Sequence, residues 1–328
     1  MRSILTAAAA AAFILSISSC NSRPLNGDEG RPKRIALIAP VHAGELAEAI
    51  RLGAEAAARE YGAELIYADV QPEEENGDIR QLKAALRSIE EGVSAVIIDP
   101  ADEEVLAALT DKAAAAAVPV VALNGEYPVK GIAGLIAVDN EEAGRQAGAA
   151  MAELLGGTGT VALLLSDRKD PGLAKREKGI RETLLSYKGI RLSAVKAVCG
   201  ASRDRCWQAV KQLLDQADVD GIVALEEQGA LGTADEVRRR HAEGAPKIVA
   251  FGSEFEQLEL LQDGVIHKLV VQNGFSTGYL GVTQAVSLTG GERGSAKKQL
   301  EARLQTKLID SENMFWMDNQ KLLFPFVQ

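Results

Sequence analysis

From Lys33 onward, short apolar runs alternate with longer segments whose apolar residues recur at helical spacing. RIALIAP, ELIYADV, SAVIIDP, VPVVALNG and GLIAVDN are the runs of the first half. Between them, residues 45–61 form an Ala-rich helical pattern that stops at Gly62, and residues 77–91 form another that stops at Gly92. Asp102 stands where it can cap the helix that follows it. The pattern then restarts. Helical segments over 141–155, 173–186, 203–216 and 231–241 alternate with TVALLLS, IRLSAVKAV, DGIVALEE and KIVAFG. Continuous Val/Ile/Leu runs, without a polar alternate, predict strands buried on both faces, hence parallel sheets covered by helices.

Residues 247–282 compress the rule into one unit: strand KIVAFG, helix EFEQLELLQDG, strand HKLVVQNG, and a helix opened by a Ser/Thr cap in STGYLGVTQAV. Strand, helix and strand with short turns make a parallel crossover. Ligands of such sheets sit beyond the carboxyl ends of the strands. Here those ends present Gly252-Ser253-Glu254 and Gln272-Asn273-Gly274. Residues 292–298 read as a surface loop, and the remaining tail carries strand-like runs. The expected fold is therefore α/β, with two similar doubly wound parallel-sheet lobes in series.

The first twenty residues do not fit this scheme. A single Arg2, an apolar run over 4–17 and the small pair Ser18-Ser19 before Cys20 read as a secretory signal. The run is about 14 residues, short for a spanning helix. The ending Ile17-Ser18-Ser19-Cys20 resembles a bacterial lipobox, with lipidation expected at Cys20; an ordinary signal with an incidental Cys is the alternative. Residues 21–32 are polar with Gly and Pro, as suits a tether. Apolar residues make up 47% of the chain and charged residues 25%, a soluble globular balance. The net charge of −10 is scattered and lacks the basic stripe that a nucleic-acid partner requires. Outside the cytoplasm, Cys199 and Cys206 can close a small disulfide loop. The three His are dispersed and no metal-ligand spacing is present, so no metal is expected.

Catalytic signatures are missing. Gly156-Gly157-Thr158-Gly159 lies between a helix and a strand, the reverse of a dinucleotide loop. No phosphate-binding loop, nucleophile elbow or zinc-binding His pair occurs. Most carboxylate doublets sit on helix starts or exposed faces. Glu226-Glu227 differs, because it ends the buried run GIVAL. Two carboxylates there suit acid–base work, or the holding of a polar or cationic ligand.

In order, RIALIAP, ELIYADV, SAVIIDPAD, VPVVALN, LIAVDNEEAG, KREKGI, DGIVALEEQGALG, IVAFGSE and HKLVVQNGFSTGYLGV resemble the periplasmic sugar-binding proteins of the ribose-binding type. That fold is shared with the ligand domain of lactose-repressor-like regulators. The resemblance implies a type I periplasmic binding protein with a three-crossing hinge, and the tail looks like that of lipoprotein members. It implies lobes at 33–138 plus 273–292 and at 139–272, with 293–328 returning across the hinge. It also implies a small polar ligand, a sugar or polyol, held by hinge closure. The partner would be the permease of an ABC importer, or alternatively a membrane histidine kinase or chemoreceptor. The chain would be monomeric, bound to the cell membrane by a lipid anchor and facing outward. No cofactor and no catalysis are implied; an enzyme using Glu226 and Glu227 is the remote alternative.

The site carried over by resemblance is uneven. Arg176 in KREKGI stands where the family forks an Arg onto sugar hydroxyls, although it also reads as a helix-surface Arg. Gln272 matches a crossing Gln, with a hinge hydrogen bond as its alternative role. Asn124 replaces an Asp, Glu226 an Asn and Glu227 an Asp. Gly252 replaces another Asp, leaving Ser253 and Glu254 nearby. The first loop, Pro40 to Glu45, offers His42 in place of the family's aromatics. With 4% aromatic residues overall, Tyr127 and Phe255 are the nearest substitutes for a stacking surface.

Overall fold

A computed structural model describes residues 32–41, 44–68, 77–200, 202–240, 244–290 and 299–325. The expected signal and tether, Cys20 and His42 lie outside these residues.

Two sheets organise the chain. The first is built from β1 (Arg34–Ile38), β2 (Glu64–Ala68), β3 (Ala95–Ile98), β4 (Val120–Leu123), β5 (Gly134–Val138) and β12 (Leu300–Leu304). Its order is β12-β5-β4-β3-β1-β2 and every pairing is parallel. The second contains β6 (Thr158–Ser166), β7 (Gly189–Leu192), β8 (Ala197–Cys199), β9 (Gly221–Ala224), β10 (Lys247–Phe251), β11 (Lys268–Val271) and β13 (Lys307–Ile309). Its order is β13-β11-β10-β9-β6-β7, with β8 also on β6 and β13 alone antiparallel. The apolar runs behave as their composition dictates: β3, β4, β5 and β9 are buried along their whole length.

In the first lobe, α1 (Glu45–Tyr61) and α9 (Gly274–Thr289) cover one face and α2 (Gly77–Glu90) and α3 (Glu103–Ala115) the other. In the second, α4 (Asn140–Leu154) and α5 (Pro171–Ser186) cover one face. The opposite face takes α6 (Arg203–Gln216), α7 (Glu227–Arg240), α8 (Phe255–Gln262) and α10 (Met317–Leu323). The chain crosses between sheets after β5, after β11 and between β12 and β13. A bond from the Asp139 amide to the Leu304 carbonyl, 3.1 Å, ties the first crossing to the third.

One helix pair in each lobe is seamed by glycine. A Cβ added at Gly53 would overlap the Phe275 carbonyl, and one at Gly278 the Ile50 carbonyl, so α1 and α9 meet backbone to backbone. Between α4 and α5, Gly144 lies against the Arg176 carbonyl and Gly179 against the Glu141 carbonyl.

Four local readings differ from expectation. The run 190–199 is two strands, β7 and β8, broken at 193–196. Helix α7 begins at Glu227, four residues before its apolar periodicity becomes visible. Helix α9 is capped by Asn273, which accepts from the Ser276 amide at 2.9 Å, in place of the Ser/Thr cap. The tail adds a strand to each sheet and then folds 317–323 as a helix, its Leu323 buried in the second-lobe core.

Candidate functional site

The carboxyl ends of the strands from both sheets converge on one cavity of about 760 Å³. This is where doubly wound sheets leave a crevice between helix N-termini. Asn124 follows β4, Glu226 and Glu227 follow β9, Ser253 follows β10 and Gln272 follows β11; all five line the cavity. Arg176 reaches it from the second turn of α5. The six described residues that the resemblance selected thus share one space.

Arg176 is not a surface Arg. It is 7% exposed, its Nε and Nη2 donate to Asn140 Oδ1 at 3.2 and 2.8 Å, and its Nη1 donates to the Leu225 carbonyl at 2.7 Å. The guanidinium lies 4.1 Å above the Phe251 ring. Burial pushes it down to about 10, so it remains cationic at neutral pH. Three of its five N–H groups serve the protein, and two are left for the cavity.

Asn124 adopts a left-handed backbone, φ 55°, which Asn tolerates better than most residues. Its Nδ2 donates to Asp99 Oδ2 at 3.0 Å. Asp99 also lines the cavity, and burial pushes its carboxyl up to about 6 against the opposing effect of Asn124. Glu226 accepts from Arg168 Nη1 at 3.0 Å, and Asp170 stands 3.6 Å from the same guanidinium. The Glu227 carboxyl has no hydrogen-bond partner among the described residues. Burial, reinforced by Glu45 and Glu226, pushes it up to about 7. Across the cavity mouth, Glu254 of the second lobe accepts from the Glu45 amide of the first at 3.1 Å, capping α1 from the opposite lobe.

The other aromatic candidates lie elsewhere. Tyr127 is buried in the first-lobe core. Phe255 stacks on Phe324, centroids 6.2 Å apart. The aromatic ring lining the cavity is Phe251, beneath Arg176, while Leu46, Ala47 and Ile50 of α1 supply an aliphatic wall. Cys199 is joined to Cys206 by a disulfide, and the loop it closes brings Gly200 and Arg205 to the cavity. Arg205 donates to Asp167 at 3.0 Å.

Sequence reasoning passed over Asp99, Arg168 and Asp170. The strand-end rule reaches them, since Asp99 ends SAVIID and Arg168 follows TVALLLS; Arg168 and Asp170 already pair within the second lobe, while Asp99 comes to the same cavity from the first.

The raised Glu227 carboxyl fixes a pH dependence. Its folded value, about 7, exceeds the ordinary 4.5, so its stabilising protonated form is complete below the ordinary value and is lost as pH rises through the folded one. Glu227→Gln is expected to raise stability at pH 8 by on the order of 2 kcal/mol and to leave it unchanged at pH 4. Urea unfolding of both proteins at the two pH values measures this, and an equal gain at both would remove the titration as its cause.

A family model described as a periplasmic binding protein domain matches residues 35–293. The chain is 27% identical over 220 residues to a xylitol-binding protein of Mycolicibacterium smegmatis, an alignment covering 66% of this chain and 62% of that protein. It is 24% identical over 307 residues to a D-apiose import binding protein of Actinobacillus succinogenes, covering 92% and 95% of the two chains. Among solved structures, an ABC transporter solute-binding protein of Agrobacterium vitis bound with α-D-tagatopyranose superposes with a TM-score of 0.76 at 23% identity, covering 89% of this chain and 99% of that one. These relatives are binding proteins and not enzymes.

Proposed function

The chain belongs to the periplasmic binding protein family, and on that premise we propose that it captures a small sugar or polyol between its lobes and delivers it to the permease of an ABC importer. The observation that carries the reading is the cavity, in which neutral amides, carboxyls and a forked guanidinium from both sheets surround a space sized for a small molecule. Hydroxyl-rich ligands need donors and acceptors in equal measure. Gln272 and Asn124 offer both, Glu226 and Glu227 accept, and Arg176 donates. Because contacts come from both lobes, a ligand favours the closed arrangement by its differential affinity. Names of the relatives, xylitol, D-apiose and tagatopyranose among them, support the same ligand class. In this reading Cys20 carries the lipid, residues 21–32 form the tether, and the protein works at the outer face of the cell membrane.

A thermal-shift screen against pentoses, hexoses, alditols and amino acids tests the proposal. A sugar or alditol is expected to raise the melting temperature in proportion to the logarithm of its concentration above Kd. A shift by amino acids and by none of the polyhydroxylated compounds would refute the ligand class.

A further inference from the structure

Glu126 stands in the first lobe, in the segment between β4 and β5, and its side chain is only 2% exposed. Three donors from separate parts of the chain reach it. Lys175 Nζ comes from α5 of the second lobe. Arg303 Nη1 comes from β12, at 2.5 Å, beside the third crossing. Asn140 Nδ2 comes from the first crossing, at 3.3 Å. Burial pushes the Glu126 carboxyl up, but Lys175, Arg303 and Asn140 outweigh it and hold it below the ordinary range. A buried carboxylate with this many donors is fixed in place.

Asn140 faces two ways. While its Nδ2 serves Glu126, its Oδ1 accepts both Nε and Nη2 of Arg176. The amide must keep this orientation, because only Oδ1 can accept from a guanidinium. Its room is limited as well: a Cβ on Gly172 would lie 2.6 Å from Asn140 Nδ2. Asn140 is 6% exposed, so little solvent competes for these bonds.

We propose that Glu126 and Asn140 form a positioning relay that couples closure of the two lobes to the orientation of Arg176 in the cavity. When the lobes close, Lys175 meets Glu126. Glu126 holds the Asn140 amide, and Asn140 turns the Arg176 fork toward the cavity. In the open arrangement Lys175 withdraws, and the relay loses the Lys175–Glu126 contact between the lobes. Lys175 itself does not line the cavity and is 45% exposed, so its effect on Arg176 passes through the relay.

The inference rests on the lobe-closure part of the proposed function, and its test needs no ligand. The full chain is labelled with ¹⁵N-arginine, and the Arg176 Nε–H resonance is identified by its loss in Arg176→Lys. Spin labels on the exposed faces of α2 and α6 report the distance between lobes. Lys175→Met is expected to shift or broaden the Arg176 resonance and to lengthen the inter-lobe distance, and Lys175→Arg to restore both. Lys178→Met, which removes a cation from the same helix that pairs with Glu141 and Glu182, is expected to change neither. A fall in melting temperature with the Arg176 resonance and the inter-lobe distance both unmoved in Lys175→Met would reduce the ion pair to a structural contact and overturn the relay. Asn140→Leu provides the second check. It is expected to move the Arg176 resonance, and an unmoved resonance there would overturn the relay equally. Failure of every sugar and polyol in the ligand screen would leave these measurements intact.

Discussion

Arg176→Ala is expected to abolish ligand capture and to destabilise the unliganded protein by about 3 kcal/mol. The substitution strips donors from Asn140 Oδ1 and from the Leu225 carbonyl, both buried, and uncovers the Phe251 ring. Each orphaned buried acceptor costs roughly 1–3 kcal/mol. Relief of a desolvated charge works in the other direction, since burial already lowers the guanidinium's affinity for its proton. The orphaned groups dominate because the cavity wall closes around them. Arg176→Lys keeps a charge but loses the planar fork, so it is expected to recover part of the stability and little of the binding. Urea unfolding without ligand, followed by titration with whichever sugar or polyol binds the wild-type protein, separates the two effects. Unchanged affinity in Arg176→Ala would place Arg176 outside the site.

The second large effect concerns the helix seams. Gly278→Ala would ordinarily gain about 1 kcal/mol from helix propensity. Here the new methyl would overlap the Ile50 carbonyl, a backbone atom that moves only if α1 moves. Overpacking against backbone is expected to win by about 3 kcal/mol, lowering the melting temperature by roughly 5 °C. Gly229→Ala in α7 is the contrasting case. Its methyl would meet the Leu164 Cδ2 at 3.2 Å, the end of a flexible side chain, and the change in stability is expected to stay within about 1 kcal/mol. Equal stability losses in the two variants would contradict the seam as the cause.

Much of this was legible because a buried parallel strand writes itself in consecutive Val, Ile and Leu, as in Ala95–Ile98. Gly62 ended its helix as read, in a left-handed conformation. Reading failed where polar residues serve the site instead of solvent. Glu227 and Gln228 face the cavity and hid the first turn of α7. Asn140 stands just ahead of the helical pattern over 141–155, and nothing nearby in sequence signalled its link to Glu126 or Arg176. The site positions followed the strand-end rule, which is local. The Arg168–Glu226 pair and the Glu254 cap on α1 join residues 58 and 209 positions apart, and only the tertiary fold brings them together, the first across neighbouring strands β6 and β9 and the second across the two lobes.

The strand order also sets a timetable for biosynthesis. β12 borders β5 although some 160 residues separate them, and α9, which covers the first sheet beside α1, is made after β6 to β11 of the second lobe. A nascent chain that has finished β1 to β5 therefore still lacks a covering helix and an edge strand. The first lobe, although begun first, is completed only with β12, and the second waits a little longer for β13 and α10, so both lobes close when nearly the entire polypeptide has been made.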